Sequence, residues 1–334
     1  MSNYYIYHHT DDDGWSSAAI TILHLLETGK ITSWEDDRLN LISYSYEPIN
    51  FFLPMRNYVE GDEVFIVDLS VSLATSTKFN NFLVLLNTVG SKLTWIDHHL
   101  SSENVLNDNI DDIKTLFIKY NFNYYVNKDN CASFNCWNYF FKDRPIPEII
   151  RIIDDWDCFK HKLSITKPFH YGFVSSKKNL PFITDWQDIL LDRGKCLSFV
   201  NQCVENGKAV INFLEEENMV NYSNYHFECK LYGFNCCCLN ARRNSDIFID
   251  YDKYDLVLSF IYDGKYYKYS LYSAGKQKEV FCNIISSIYG GGGHKGAAGF
   301  TSPKLIVDKY YTKLYKIKDF IRSFKYKKLL RKGK

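Results

Sequence analysis

Residues 8 to 19, HHTDDDGWSSAA, place two histidines and three consecutive aspartates between the apolar run Tyr4 to Tyr7 and a stretch with a helical apolar pattern. On an extended strand alternate side chains point to one side. His9, Asp11 and, where the chain turns into the helix, Asp13 therefore converge, while His8, Thr10 and Asp12 face elsewhere. Converging carboxylates repel one another unless protons or cations intervene, and carboxylates with imidazole form a ligand set for divalent ions such as Mn²⁺. A plainer account makes Asp13 a helix N-cap and Asp11 and Asp12 solvated turn residues.

Three further segments repeat the pattern. Asp68 ends the apolar run VFIVD; Asp97, His98 and His99 end LTWID; and IRIIDDWDCF supplies Asp154, Asp155 and Asp157 at a helix end. Each alone reads as a turn or a solvated helix terminus. Four such clusters on one sheet edge are hard to ascribe to coincidence.

The elements that must carry these residues follow from periodicity. Tyr4 to His9, residues 63 to 70 and residues 92 to 99 read as strands; Trp15 to Glu27 and Lys78 to Asn87 read as helices between them. That β-α-β-α-β order predicts a mostly parallel sheet flanked by helices, with ligands at the carboxyl ends of the strands. Helices at Ala132 to Phe141 and Pro147 to Asp155 complete a first domain over residues 1–185. Residues 186–222 read as a helical connector that ends in the acidic LEEEN. Residues 223–334 form a smaller mixed α/β domain of strands and short turns, with a hairpin signal at Asp263 and Gly264, a short helix from Glu279 to Ile288, and the segment YGGGGHKGAAGF. From Phe320 onward the chain carries seven Lys and Arg residues and no acid, the pattern of a solvated, fraying helix end.

Composition narrows the function classes. With 334 residues and 46 % hydrophobic content, two packed domains are expected, and a formal charge of +1 supplies no global field for steering polyanions. There is no secretory leader pattern and no run of apolar residues long enough for a membrane span, so a cytoplasmic protein is expected. The ten cysteines lack paired metal-binding spacing and read as structural thiols.

His-x-Asp-x-Asp-Gly (His9, Asp11, Asp13, Gly14), the strand-ending Asp68, Asp-His-His (97 to 99) and a late Asp together resemble the DHH phosphoesterase superfamily. GGGGHKGAAGF resembles the glycine-rich signature of the DHH-associated C-terminal domain, so the likeness extends over both halves of the chain. The resemblance implies a hydrolase with two divalent metal ions, usually Mn²⁺, with Mg²⁺ or Co²⁺ as alternatives. By the same resemblance His9 and Asp11 hold one metal, Asp13 and His98 the other, and Asp68 bridges them. Asp97 orients the imidazole of His98, and His99 faces the phosphate. The last ligand is expected at Asp155, with Asp157 and then Asp154 as alternatives. Gly291, Gly292, Gly293 and His294 are expected to meet a substrate phosphate, aided by Arg242 and Arg243. Tyr272 stands where relatives carry an arginine. The expected activity is hydrolysis of short RNA or DNA oligonucleotides or small nucleotides, directed at a 5′ end, by a hydroxide bridging the metals. The alternatives are a single-strand 5′–3′ exonuclease, a phosphatase on 3′,5′-bisphosphate nucleotides, a pyrophosphatase and a non-catalytic nucleotide sensor. Association as a homodimer is left open.

Overall fold

The computed structural model describes residues 2–44, 56–72, 75–176, 184–241, 253–274, 280–293, 295–307, 322–323 and 325–329. It divides into two compact units, Met1–Val210 and Ile211–Lys334.

In the first unit, strands β1 (Tyr4–His9), β2 (Leu39–Tyr44), β3 (Glu63–Val67), β4 (Lys92–Asp97) and β5 (Asn123–Val126) form a sheet in the order β2-β1-β3-β4-β5. Every pairing is parallel. Parallel neighbours need long crossovers, and these are supplied by helices α1 (Asp12–Glu27), α2 (Ser76–Val89), α3 (Leu100–Asn107), a 3-10 turn (Ile110–Asp112) and α4 (Ile113–Lys119). Helices α5 (Ala132–Phe141), α6 (Glu148–Asp157), α7 (Thr166–Ser176) and α8 (Thr184–Leu191) follow β5.

Strand side chains alternate between two cores. Tyr4, Ile6, Phe65 and Val67 pack with residues of α1, α5, α6 and α8, whereas Tyr5, Tyr7, Val64, Ile66 and Trp95 pack with residues of α2, α3 and α4. Burial on both faces explains why the strands read as near-continuous apolar runs. Each fully buried aliphatic side chain contributes roughly 1.5–3 kcal/mol. The strand order reverses between β1 and β3, and in open α/β sheets such a switch point leaves a crevice at the carboxyl ends of the strands.

The expected connector is two helices, α8 and then α9 (Arg193–Tyr225), with Asp192 between them. Asp192 Oδ1 accepts a hydrogen bond from Lys195 N at 3.0 Å, a capping contact that starts α9 anew. The acidic LEEEN lies inside α9, which continues to Tyr225.

The second unit is built on β6 (His226–Leu231), β7 (Phe234–Leu239), β8 (Leu256–Tyr262), β9 (Tyr267–Ser273), β10 (Gly292–Gly293) and β11 (Ala297–Ser302), with helix α10 (Cys282–Ile288) between β9 and β10. Their order is β10-β11-β9-β8-β7-β6, antiparallel except for β7 against β8. The hairpin at Asp263 and Gly264 has a four-residue loop, because the Asp263 carboxylate accepts from Lys265 N and Tyr266 N at 2.9 and 2.8 Å. One sheet face packs against α10 through Leu256, Leu258, Tyr269, Leu271 and Ile285. In the described part of the basic tail Lys325, Lys327 and Lys328 are exposed, as in a solvated end, while another side is docked. Tyr326 is buried in this core with its hydroxyl accepting from Phe281 N at 3.0 Å, and Arg322 Nη1 donates to Ile306 O at 3.2 Å. All ten cysteines are free thiols and nine are buried, as structural thiols should be. Among the described residues no helix is long and apolar enough to cross a membrane.

Candidate metal centre

The polar residues at the carboxyl ends of β1, β3 and β4 meet in space. At the end of β1, His9 Nδ1 lies 2.6 Å from Asp11 Oδ2, while Asp11 Oδ1 accepts from Gly14 N at 2.9 Å and caps α1. Gly14 is required by close approach, since a Cβ there would sit 2.3 Å from the carbonyl oxygen of His9. His8 points away, its ring tilted against Trp15 with centroids 4.1 Å apart, and burial pushes its imidazole down to about 4, so it stays neutral.

Asp68 follows β3 with φ of 55°, a left-handed conformation that aspartate tolerates better than most side chains. This turn sets its carboxylate between two imidazoles, with Oδ1 3.3 Å from His98 Nε2 and Oδ2 3.7 Å from His9 Nδ1. Asp68 is 1 % exposed, and its Oδ2 is buried without a hydrogen bond. Burial, then the neighbouring charges of Asp11, Asp13 and Asp157, push this carboxyl well above the usual range.

Asp13 is anchored by α5, whose first amides donate to it, Ala132 N to Oδ2 at 2.7 Å and Ser133 N to Oδ1 at 2.8 Å. The helix N-terminus favours the negative charge. His98 Nε2 stands 3.8 Å from Asp13 Oδ2 and 3.3 Å from Asp157 Oδ2. Asp157 Oδ2 is likewise buried without a hydrogen bond, and burial followed by Asp13 and Asp11 raises its carboxyl.

The three aspartates of α6 have separate environments. Asp154 accepts from Cys131 N at 2.9 Å and pairs with Lys160 at 2.6 Å. Asp155 accepts from Lys162 N, Leu163 N and Thr166 Oγ1 at 2.9, 3.1 and 2.6 Å. Burial raises its carboxyl, but these donors outweigh burial and hold it below the ordinary value. Asp157 alone of the three faces His98.

His99 Nδ1 lies 2.7 Å from Asp97 Oδ1, and Ser102 Oγ donates to Asp97 Oδ2 at 2.5 Å. Burial opposes both charges, yet the pairing dominates, holding Asp97 at about 2 and raising His99 to about 9. Asp97 therefore orients His99 rather than His98.

Three groups bring ligand atoms within 4.8 Å of one another: His9, Asp11 and Asp68; Asp68, Asp97, His98 and His99; and His98, Asp157 and Cys158. Two buried carboxylate oxygens without donors suit a cation, which satisfies such atoms without needing a proton. Two contacts have no local sequence signal. His170 Nδ1 pairs with Asp12 at 2.8 Å and stacks on Trp156 at 4.0 Å, so a residue of α7 braces both the first turn and α6.

In the second unit, the glycine run has a packing reason. A Cβ on Gly291 would meet Gly299 O at 2.2 Å, and Gly293, with φ of 135°, lies against Ala298. His294, Arg242 and Arg243 lie outside the described residues.

No family model matches the sequence. An uncharacterized protein of Acanthamoeba polyphaga mimivirus is 23 % identical over 310 residues, 88 % of this chain, which spans 66 % of that relative's length. A solved DHH domain, from a member of a ribosomal-protein family, is similar in fold, with a TM-score of 0.52 and 16 % identity over 89 % of this chain and 82 % of that one. An exopolyphosphatase-related protein of Bacteroides fragilis aligns with a TM-score of 0.48 and 16 % identity over 99 % of this chain and 94 % of that one. The fold is thus that of a DHH domain.

Proposed function

We propose that this chain is a divalent-metal-dependent phosphoesterase that hydrolyses short oligonucleotides or small nucleotides from a 5′ end. The observation that carries the reading is Asp68, a buried carboxylate raised by its neighbours and set between His9 and His98. In this reading His9 and Asp11 hold one cation, Asp13, His98 and Asp157 a second, and Asp68 both. Asp157 replaces Asp155 as the last ligand, since Asp155 is already engaged by three donors from the segment after α6. Mn²⁺ suits this mixture of imidazole and carboxylate, and Mg²⁺ or Co²⁺ are the alternatives.

Bound cations would supply polarisation of the phosphoryl oxygens and a water of lowered pKa. The protein's own groups do the rest. With Nδ1 committed to Asp97, His99 presents Nε2 to the substrate, where its protonated form would hand a proton to the leaving oxygen. Gly291, Gly292, Gly293, His294, Arg242 and Arg243 contribute phosphate contacts in the second unit.

The test is incubation with Mn²⁺ and labelled RNA from two to twenty-four residues, cyclic dinucleotides and bisphosphate nucleotides. Preference for dimers to pentamers is expected. Better cleavage of long strands would make the protein an exonuclease, and tight binding without hydrolysis a sensor. His99→Ala should keep its metal and lose roughly 10²–10⁴-fold in turnover; unchanged turnover would remove His99 from the chemistry.

A further inference from the structure

Helix α6 closes through Phe159. Its amide donates to Trp156 O at 3.0 Å and the next amide, of Lys160, donates to Asp155 O at 3.0 Å, the paired bonds of a helix that ends in one left-handed residue. Glycine is the usual occupant of that position, because it alone carries no Cβ to strain. Here phenylalanine holds it at φ of 52°, and His161, two residues on, is left-handed as well at 45°. A bulky ring in this region is an outlier that burial would ordinarily justify. Burial does not justify it, since Phe159 is 59 % exposed. Strain kept where folding gains little from the side chain points to a use outside the fold.

The surroundings of the ring indicate that use. Phe159 adjoins the candidate metal centre, because Cys158, the residue before it, has a ligand atom within 4.8 Å of those of His98 and Asp157. It also ends a row of rings that starts on α7. His170 stacks on Trp156 at 4.0 Å, Trp156 meets His161 edge to face at 5.4 Å, and His161 meets Phe159 edge to face at 5.8 Å. The turn that carries the ring is fixed. Lys160, between the two strained residues, is drawn to Asp154 at 2.6 Å, and the amides of Lys162 and Leu163 are tied to the Asp155 carboxylate. A fixed, exposed, uncharged ring beside a cluster suited to cations matches a ligand that joins a flat π face to an anion, as a nucleotide does.

We propose that Phe159 is a base platform, its ring stacking on the nucleobase that adjoins the scissile phosphate. The proposal rests on the nucleotide-hydrolase reading for its substrate. It adds a specificity determinant on the first unit, so that base and phosphate are read by residues two positions apart, Phe159 and Asp157.

The experiment compares Phe159→Gly, Phe159→Leu and Phe159→Tyr with the unaltered full chain, using Mn²⁺, a dinucleotide and the same dinucleotide without its bases. For the dinucleotide, KM should rise about tenfold or more in Phe159→Gly and Phe159→Leu and stay near the unaltered value in Phe159→Tyr. For the abasic analogue KM should not follow this order. The thermal midpoint of metal-free Phe159→Gly should hold or rise, because glycine takes the left-handed turn without strain. Unmoved dinucleotide KM in Phe159→Gly and Phe159→Leu, an equal rise for the abasic analogue, or a marked fall in the midpoint of Phe159→Gly would overturn the proposal; the last would return the ring to the fold. If the unaltered chain hydrolyses neither compound, the hydrolase reading fails and calorimetry with the same two compounds and Mn²⁺ decides the platform alone. Dinucleotide binding that weakens in Phe159→Gly and Phe159→Leu but not in Phe159→Tyr keeps it, and binding that ignores the ring or is absent removes it.

Discussion

The two sheets place their polar groups differently. The parallel sheet is covered on both faces, so its chemistry is confined to the strand ends, where charged groups crowd together in burial. The mixed sheet packs one face on α10, and on the other face Ser259 and Ser270 lie beside a cavity. A crossover sheet can hold only an edge site, whereas a hairpin sheet can offer a whole face. The first arrangement calls for cations to relieve repulsion.

The sharpest way to break this comparison is Asp68→Asn. Removing a buried charge from among like charges should raise the thermal midpoint of the metal-free protein, yet turnover should fall to background and added Mn²⁺ should no longer shift the midpoint. For the unaltered chain, Mn²⁺ at a hundred times its Kd adds about 2.7 kcal/mol of stability. A midpoint shift by Mn²⁺ in Asp68→Asn would show the edge cluster to be something other than a cation site.

Next in size is a contrast within α6. Asp157→Asn should weaken metal binding while leaving metal-free stability intact or improved; Asp155→Asn should cost roughly 1–3 kcal/mol of folding stability with metal content retained. Metal titration and urea unfolding of both variants decide between them, and the reverse pattern would return the ligand role to Asp155.

On the mixed sheet, Leu258→Ala opens a cavity in the α10-facing core and should destabilise the second unit by roughly 2–5 kcal/mol. Mn²⁺ affinity should stay unchanged, because every proposed ligand belongs to the first unit; a matching loss of affinity would deny that separation.

The smallest effect is a pH dependence away from the site. His24 stacks on Phe140 at 4.3 Å, and burial, then the charge of Lys30, lower its imidazole below 6.5. The unfolded chain therefore binds the proton more readily. The stability from neutral His24 is complete above pH 6.5 and is lost as pH falls through the lower folded value. His24→Gln should flatten the acid limb of the stability profile between pH 7 and 5.

Much of the first unit was legible because its strands announce themselves in one way, an apolar run ending in an acid or a histidine. VFIVD and LTWID each mark a buried strand and the point where it reaches the crevice. Strands β2 and β5 were not legible. LNLISY and NYYV lie at the sheet edges with mixed burial, so their pattern is diluted. The separate environments of Asp154, Asp155 and Asp157 were beyond local reasoning, because they depend on residues 162 to 166 folding back onto Asp155. Asp97 was expected beside His98, but the turn into α3 sets its carboxylate against His99 instead. The Asp12 and His170 pair joins residues 158 apart in the chain and leaves no trace in spacing.

The proposed ligands run from His9 to Asp157 and hang on strands that pair only through crossovers. Parallel pairings of this kind are slow to form, since long loops must close before their contacts repay the entropy. The cation site cannot exist until β1, β3 and β4 are in register and α6 has docked. Metal uptake during refolding should therefore trail the recovery of helical circular dichroism, making cation capture a clock for the last step of assembly.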